Sequence, residues 1–495
     1  MYLVLKNKFK YIAMKEISIK SITKSIFLSI SVICALLIVL TSCNDEGKKG
    51  VKSSLEIGIA QVNYTPEIGL NLVGNYRGDD YASRGIHDSL YAKALVASDG
   101  KGQKVAVLTM DICMLSRKPV EFMRHYIAGQ TDIRAENIMI MATQTHSRPE
   151  SNPDNPKVAE FLQKAAGAVI LANERLQPTV LSVGRSQESR ISHNRRLKAK
   201  DGTTHMCWEK LEPGYIIEPW GSIDPEVITI SFEQDGKTTG ALVNFGCHAT
   251  TLTGNNWLYS ADYPGYMSEA IRKVKGQEFL PMFANGCCGD VTQVDYRIGF
   301  PDTFQECQRI GYLLGVSALE AMNNEKPVAT DVIAVLKEMV PLSRIDITDE
   351  QIEWAKKLMK KVEKEGMPPI QADGMPDAYY AKTWLEMREV QDVTDSVEVM
   401  TIRIGDVAFV GLPGEIFNEF GIDIKSKSPC KNTIVTGLTN DSRSYFPTAE
   451  SFTQGPKGFT PYITGYETTP GTTRYEIGSG EKLAESAINQ LRSIF

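Results

Sequence analysis

Short apolar runs that each stop on a chemically capable residue constrain this chain more than any other feature. The clearest is Ala241 to Cys247, a nearly continuous apolar run that reads as a strand covered on both faces, and it stops on His248. Lys104 to Met110 stops on Asp111, Asn137 to Ala142 on Thr143-Gln144-Thr145-His146, and Val407 to Leu412 on Pro413-Gly414-Glu415. Phe279 to Phe283 runs into a glycine-rich loop that carries Asp290 and Thr292. Helical patterns separate these strands, at Lys118 to Ile127, Lys157 to Arg175, Ala261 to Lys275 and residues 303–323. Strands alternating with helices predict an α/β fold, read here as one large mixed-sheet unit with no internal repeat. If the strands share a sheet, their polar ends converge along one edge, where open α/β sheets bind ligands.

Composition narrows the class. The 495 residues are 42% hydrophobic and 23% charged, with a net charge of −6, which is ordinary for a globular protein. There is no basic stripe, which excludes nucleic acid as a partner. The first 43 residues read as an address. A lysine-rich segment from Lys6 to Lys24 precedes an apolar run from Ile26 to Leu40, and Leu40-Thr41-Ser42-Cys43 resembles a bacterial lipobox. That implies cleavage before Cys43, a lipid on its thiol that binds the membrane, and a bacterial cell-envelope location facing the periplasm or on the outer membrane. The alternative is an uncleaved anchor, although the apolar run is short for a spanning helix. Residues 44–54 suit a flexible tether, which leaves 55–495 as the folded unit. Within it, 349–392 reads as a helical insertion or cover. Of nine cysteines, two belong to the leader. Cys113 and Cys247 lie inside strand patterns as buried thiols, and the absence of any CxxC pair excludes a zinc ribbon or a thioredoxin motif.

Two imidazoles (His146, His248), carboxylates (Asp111, Asp290, Glu415) and a loop rich in backbone N–H groups suit metal-assisted hydrolysis. Each carboxylate taken singly also fits a turn or a helix cap. Seven short motifs add to this reading: Gly85-Ile-His-Asp88, Ala142-Thr-Gln-Thr-His-Ser147, His193-Asn-Arg-Arg196, Asn244-Phe-Gly-Cys-His248, Gly289-Asp-Val-Thr292, Leu412-Pro-Gly-Glu415 and Ser444-Tyr-Phe-Pro-Thr448. In this order, and from about residue 55 onward, they resemble the catalytic N-terminal domain of the neutral/alkaline non-lysosomal ceramidase family. The immunoglobulin-like domain that follows it in full-length ceramidases has no counterpart in the reading.

The resemblance implies hydrolysis of an N-acyl amide, as in ceramide, with one zinc ion (Zn2+) as cofactor. It assigns His248, Glu415 and Tyr445 to the metal. The family's first histidine ligand falls on Gln144, so this chain departs from the pattern there. His146 matches the neighbouring active-site histidine, as acid/base or oxyanion stabiliser. The family's catalytic serine falls on Thr292, and Gln293 stands where proline follows it. Arg195 and Tyr466 match substrate-orienting positions, with Tyr475-Glu476 a competing alignment for the tyrosine. A glutamine oxygen is a weaker zinc donor than imidazole, and threonine keeps the hydroxyl while crowding it with a methyl group. The expected partner is a small acyl-amide or acyl-ester substrate. Two other readings are a deacylase or esterase acting on a carbohydrate or other non-lipid substrate, and a surface lipoprotein that binds without catalysis.

Overall fold

One strand–strand–helix–strand pattern recurs three times along the chain in the computed structural model. The structure describes residues 55–78, 80–330, 332–367, 375–455 and 464–495. The leader ending at Cys43 and the tether at 44–54 lie outside the described residues.

In the first unit β1 (Glu56–Asn63), β2 (Tyr91–Ser98) and β3 (Lys104–Met110) pair antiparallel in succession. Helix α1 (Arg117–Gln130) then crosses to β4 (Ile138–Ala142), which pairs parallel with β3, and α2 (Pro156–Glu174) follows. The second unit repeats the plan. Strands β5 (Val180–Gln187), β6 (Glu226–Gln234) and β7 (Lys237–Phe245) are antiparallel neighbours, α3 (Asp262–Lys275) leads to β8 (Leu280–Asn285) parallel with β7, and α4 (Phe304–Asn323) follows. The third begins with β9 (Ile333–Ser343). Helices α5 (Asp349–Glu365) and α6 (Asp377–Arg388) intervene before β10 (Thr394–Ile404) and β11 (Val407–Gly411). Helix α7 (Asn418–Lys427) crosses to β12 (Asn432–Thr436), parallel with β11, and α8 (Ser479–Ile494) closes the described chain.

The α/β expectation therefore holds, but the strands do not share one sheet. Three sheets, ordered β4-β3-β2-β1, β8-β7-β6-β5 and β9-β10-β11-β12, each carry helices on one face. Their other faces meet in a common core. Val107, Met139 and Met141 from the first sheet pack with Ile228, Leu242 and Met282 from the second and Ile402, Phe409 and Ile434 from the third, all buried. This is why the strands read as continuous apolar runs: both faces are covered. The repetition is one of architecture and leaves no sequence period to find.

Helix ends follow local chemistry. Asn155 caps α2 ahead of Pro156, Thr303 caps α4, and Thr348 with Gln351 forms a capping box on α5, each satisfying N–H groups that a helix start leaves free. Helices α5 and α6 hold a small core of their own around Ile352, Tyr380 and Trp384. The Trp384 indole donates to the Pro470 carbonyl at 2.6 Å, which ties α6 to the loop carrying Tyr466 and Glu467. The seven cysteines of the described residues are free and buried.

Candidate active site

The carboxyl ends of β4, β7 and β11, one from each sheet, bring Gln144, His248 and Glu415 together. Side-chain amides tie the sheets there. Asn244 donates to carbonyls of Ala284 at 2.9 Å and Val435 at 3.4 Å, and Asn285 donates to the Thr143 carbonyl at 3.3 Å. A two-residue parallel pairing sets Glu415 directly opposite Tyr445. Gly289 makes the closure possible, because a Cβ there would lie 2.5 Å from the Glu415 carbonyl oxygen.

His248 is held twice by one carbonyl. Its backbone N–H and its Nδ1 both donate to the oxygen of Val291, at 3.2 and 2.9 Å. That leaves Nε2 facing three groups: Glu415 Oε2 at 2.8 Å, Arg195 Nη1 at 3.2 Å and the Tyr445 hydroxyl at 3.3 Å. Burial pushes the Glu415 carboxyl up, but the hydrogen bond and charge of His248 outweigh it and hold the group below its ordinary value. Tyr445 is pushed well up by burial and by the Glu415 charge, so it is a protonated phenol here.

Arg195 is locked from behind. Its Nε donates to Glu467 at 2.6 Å, while the neighbouring Arg196 donates to the other oxygen of Glu467 at 2.7 Å. Burial alone would lower the Arg195 pKa, but the nearby Tyr445 and Glu467 outweigh it and raise it well above the ordinary value. The guanidinium also lies over the rings of Trp208, Tyr445 and Tyr466, at 5.3, 5.3 and 5.8 Å, within the range of cation–π attraction. Its Nη2 is buried and makes no hydrogen bond among the described residues.

His146, Arg195, His248, Thr292, Tyr445 and Tyr466 all line one cavity of about 270 Å³. Burial drives the His146 imidazole down to about 3, so it is neutral at any working pH. Its Nδ1 donates to Asn75 Oδ1 over a long 3.4 Å, and its Nε2 is buried without a hydrogen-bond partner among the described residues. Gly74 lets this loop close over the ring: a Cβ there would stand 2.6 Å from the His146 Cγ. The Thr292 hydroxyl donates to Gln293 Oε1 at 2.9 Å, so the residue in the expected proline position steadies it.

Other strand-end candidates go elsewhere. Asp290 anchors the start of α7, accepting from the Asn418 backbone at 2.8 Å and from the side chains of Asn418 and Asn194 at 2.6 and 2.7 Å. Asp111 accepts from the Tyr91 backbone at 2.8 Å and lines a separate cavity beside Lys93. Tyr475 stacks on Phe446 at 5.6 Å, and it is Tyr466 that lines the cavity. Trp208 and Glu467 were missed. The sequence shows Arg195 and Arg196 side by side but not their burial, and it is that burial which calls for a buried acid such as Glu467.

The donor set fits a cation at three positions and not at the fourth. His248, Glu415 and Tyr445 converge, and the carbonyl on His248 Nδ1 is the outer support a metal-bound imidazole usually has. Gln144 is turned the other way. Its nitrogen donates to Glu415 Oε2 at 2.8 Å, and its oxygen faces Asn285 Nδ2 at 3.1 Å and the Cys288 thiol at 3.2 Å. The oxygen expected to stand in for the missing imidazole is thus used inside the fold. His248 and Glu415 alone do not reach three His, Cys, Asp or Glu ligands, and the described residues hold no cluster of three of those types that could take a metal ion.

These elements describe a three-sheet α/β protein with a buried polar site at its strand ends. The neutral/alkaline non-lysosomal ceramidase N-terminal family matches residues 55–309, and the chain belongs to that family. Neutral ceramidase of Pseudomonas aeruginosa is 26% identical over 229 residues, which is 43% of this chain and 32% of the relative. Neutral ceramidase A of Dictyostelium discoideum is 25% identical over 247 residues, 46% of this chain and 33% of the relative. The chain thus matches these curated relatives over about a third of their length. The crystal structure of the Pseudomonas neutral ceramidase superposes with a TM-score of 0.64 at 19% identity, covering 88% of this chain and 73% of that one. A ceramidase complexed with C2 gives 0.65 at 19% identity, covering 89% and 74%. Both show the same fold.

Proposed function

We propose that this chain is a hydrolase that cleaves an N-acyl amide bond, the bond class the relatives' name implies, and that it does so with a metal ion. The observation that carries this reading is the meeting of His146, Arg195, His248, Thr292, Tyr445 and Tyr466 on one cavity, with Glu415 hydrogen-bonded to His248 behind it. His248, Glu415 and Tyr445 would hold the ion, the three protein donors common at catalytic zinc. A zinc ion held there supplies Lewis-acid polarisation of the scissile carbonyl.

The protein's own groups do the rest. Arg195, fixed by Glu467 and with Nη2 uncommitted, is a preorganised donor for the oxygen that gains charge. His146 is neutral, and its Nε2 accepts a hydrogen bond from the attacking hydroxyl group and so orients it; an imidazole driven down to about 3 is too weak a base to hold the proton itself. Thr292 supplies or orients that hydroxyl. A lipid on Cys43, supported by the lipobox-like stretch, would hold the enzyme at the cell envelope.

A second reading has its own support. Gln144 and Arg195 satisfy Glu415 and His248 without a metal, as in a pocket that binds but does not turn over. The test is turnover of p-nitrophenyl acetate and of a short-chain N-acyl amide, with zinc and with chelator. Thr292→Ser is expected to retain activity, and Thr292→Val to lose about a hundredfold, the usual scale for a positioned catalytic group. Equal rates in wild type and Thr292→Val would remove Thr292 from the mechanism. No turnover under any condition would favour the binding reading.

A further inference from the structure

The cavity at Thr292 adjoins a second and larger one of about 720 Å³, with which it shares Gly74, Asn75, Tyr76, Met375, Tyr445 and Tyr466. The wall of that cleft decides what can occupy it. Six tyrosines line it: Tyr76, Tyr81, Tyr379, Tyr380, Tyr445 and Tyr466. Asn71, Glu150, Arg443 and Arg474 supply charge and hydrogen-bonding groups around them, and among the described residues the aliphatic side chains are Leu72, Val73, Met114 and Met375.

An alkyl chain gains roughly 0.8 kcal/mol per CH₂ only where it exchanges water for apolar surface. Laid along this wall, it would strip water from Glu150, Arg443 and Arg474 and return no hydrogen bond, a net cost for each polar group. A tyrosine offers an apolar face with a hydroxyl at its edge. That combination suits a sugar ring, whose C–H faces stack while its hydroxyls reach the neighbouring amide, carboxylate and guanidinium groups. The inner cavity sets a second limit. At about 270 Å³ it lies below the roughly 300–1,000 Å³ of pockets that bury drug-sized ligands, so it suits a short acyl group, and a long fatty chain would have to run back into the polar cleft.

We infer that the substrate is a short-chain N-acylated amino sugar, with its acyl group beside Thr292 and its sugar rings among the tyrosines. This rests on the hydrolase reading and replaces the two-chain lipid amide with a hydrophilic one. The reaction balances with water alone. The water oxygen bonds to the acyl carbon, the C–N bond breaks, the amine leaves with a proton from water, and a short carboxylic acid and a free amino sugar result.

The experiment compares tri-N-acetylchitotriose with N-acetylsphingosine in mixed micelles, in the presence of zinc, with p-nitrophenyl acetate as a general acyl substrate. The expected result is a kcat/KM for the sugar at least tenfold above that for the lipid. Calorimetric titration of the trisaccharide into the Thr292→Val protein is expected to show binding. In that background Tyr379→Ala should weaken it about tenfold through lost stacking, and Tyr379→Phe should retain it. Tyr379 is 41% exposed, so its replacement spares the core. Cleavage of p-nitrophenyl acetate together with preference for the lipid, or with no binding of the sugar, overturns the sugar assignment and leaves the hydrolase standing. Failure to cleave any of the three removes the hydrolase reading and this inference with it.

Discussion

Gln144 and Arg195 between them decide what lies between His248 and Glu415. With Nδ1 of His248 committed to the Val291 carbonyl, Nε2 and Glu415 Oε2 face each other at 2.8 Å. Two acceptors at that distance need something positive between or beside them: a proton, a guanidinium or a metal ion. Arg195 is already 3.2 Å from Nε2, so a metal must displace that bond, and weak binding follows. Gln144→His is expected to tighten zinc binding by about tenfold, the scale on which changes around a metal site act, because it replaces an amide nitrogen that only donates with an imidazole that coordinates. His248→Ala is expected to abolish binding. Competition against a chromophoric chelator measures both without reference to activity. Equal zinc uptake by wild type and His248→Ala would mean that the metal lies elsewhere or nowhere.

At the scale of the element, strand β2 carries Lys93 into a buried position near Asp111, at the end of β3. Burial lowers Lys93 from its ordinary value to about 8, and burial raises Asp111 to about 6. The signs give a pH profile. Asp111, raised in the folded state, contributes stability fully present below about pH 4 that is lost as pH rises through 6. Lys93, lowered in the folded state, contributes stability present above about pH 10 that is lost as pH falls through 8. Between pH 6 and 8 both groups therefore carry charges that burial disfavours, each at a cost on the order of 3 kcal/mol. Stability is expected to fall as pH rises through 6 and to recover above 8. The double variant Lys93→Met/Asp111→Asn should flatten that profile and match or exceed wild type at pH 7. Lys93→Met alone, which strands a buried carboxylate, should lose about 3–5 kcal/mol. Urea midpoints from pH 5 to 9 check all three, and a flat wild-type profile would contradict the argument. The strands themselves were legible, because period and apolar runs report burial directly: Lys104–Met110 is the strand read from the sequence, and Glu226 and Ile138 begin strands within a residue of expectation. Sheet membership was not legible. A strand buried on both faces has the same pattern whichever sheet it joins, so three sheets looked like one. Asp111 and Asp290 misled for a related reason, since a carboxylate after a strand serves equally as a cap or an anchor, and only the tertiary contacts decide which.

For the whole molecule, the decisive fact is that no single sheet owns the site. Gln144 and His146 come from the first sheet, His248 and Thr292 follow strands of the second, and Glu415 and Tyr445 follow strands of the third. The family motifs were legible because each is a short contiguous stretch, while the meeting of the strand exits that carry several of them depends on a core contributed by all three sheets. The proposed lipid anchor, outside the described residues, makes a separate prediction. Cys43→Ser is expected to move the protein from the membrane to the soluble fraction, and a variant that stays membrane-bound and unprocessed would favour the uncleaved anchor. The shared core carries the larger consequence. Phe409 on β11 is 1% exposed and packs in that core, so Phe409→Ala leaves a void that costs about 3–5 kcal/mol. In a protein whose sheets were independent, that loss would loosen the third sheet and leave the others in place. Here the void lies where the three sheets support one another, and the site exists only while all three are docked. Unfolding followed by tryptophan fluorescence and loss of acyl-substrate turnover are therefore expected to share one midpoint in wild type, and both to move by the same amount in Phe409→Ala. Activity lost well before fluorescence would mean that the third sheet separates first, and the site would then owe its geometry to local contacts and not to the common core.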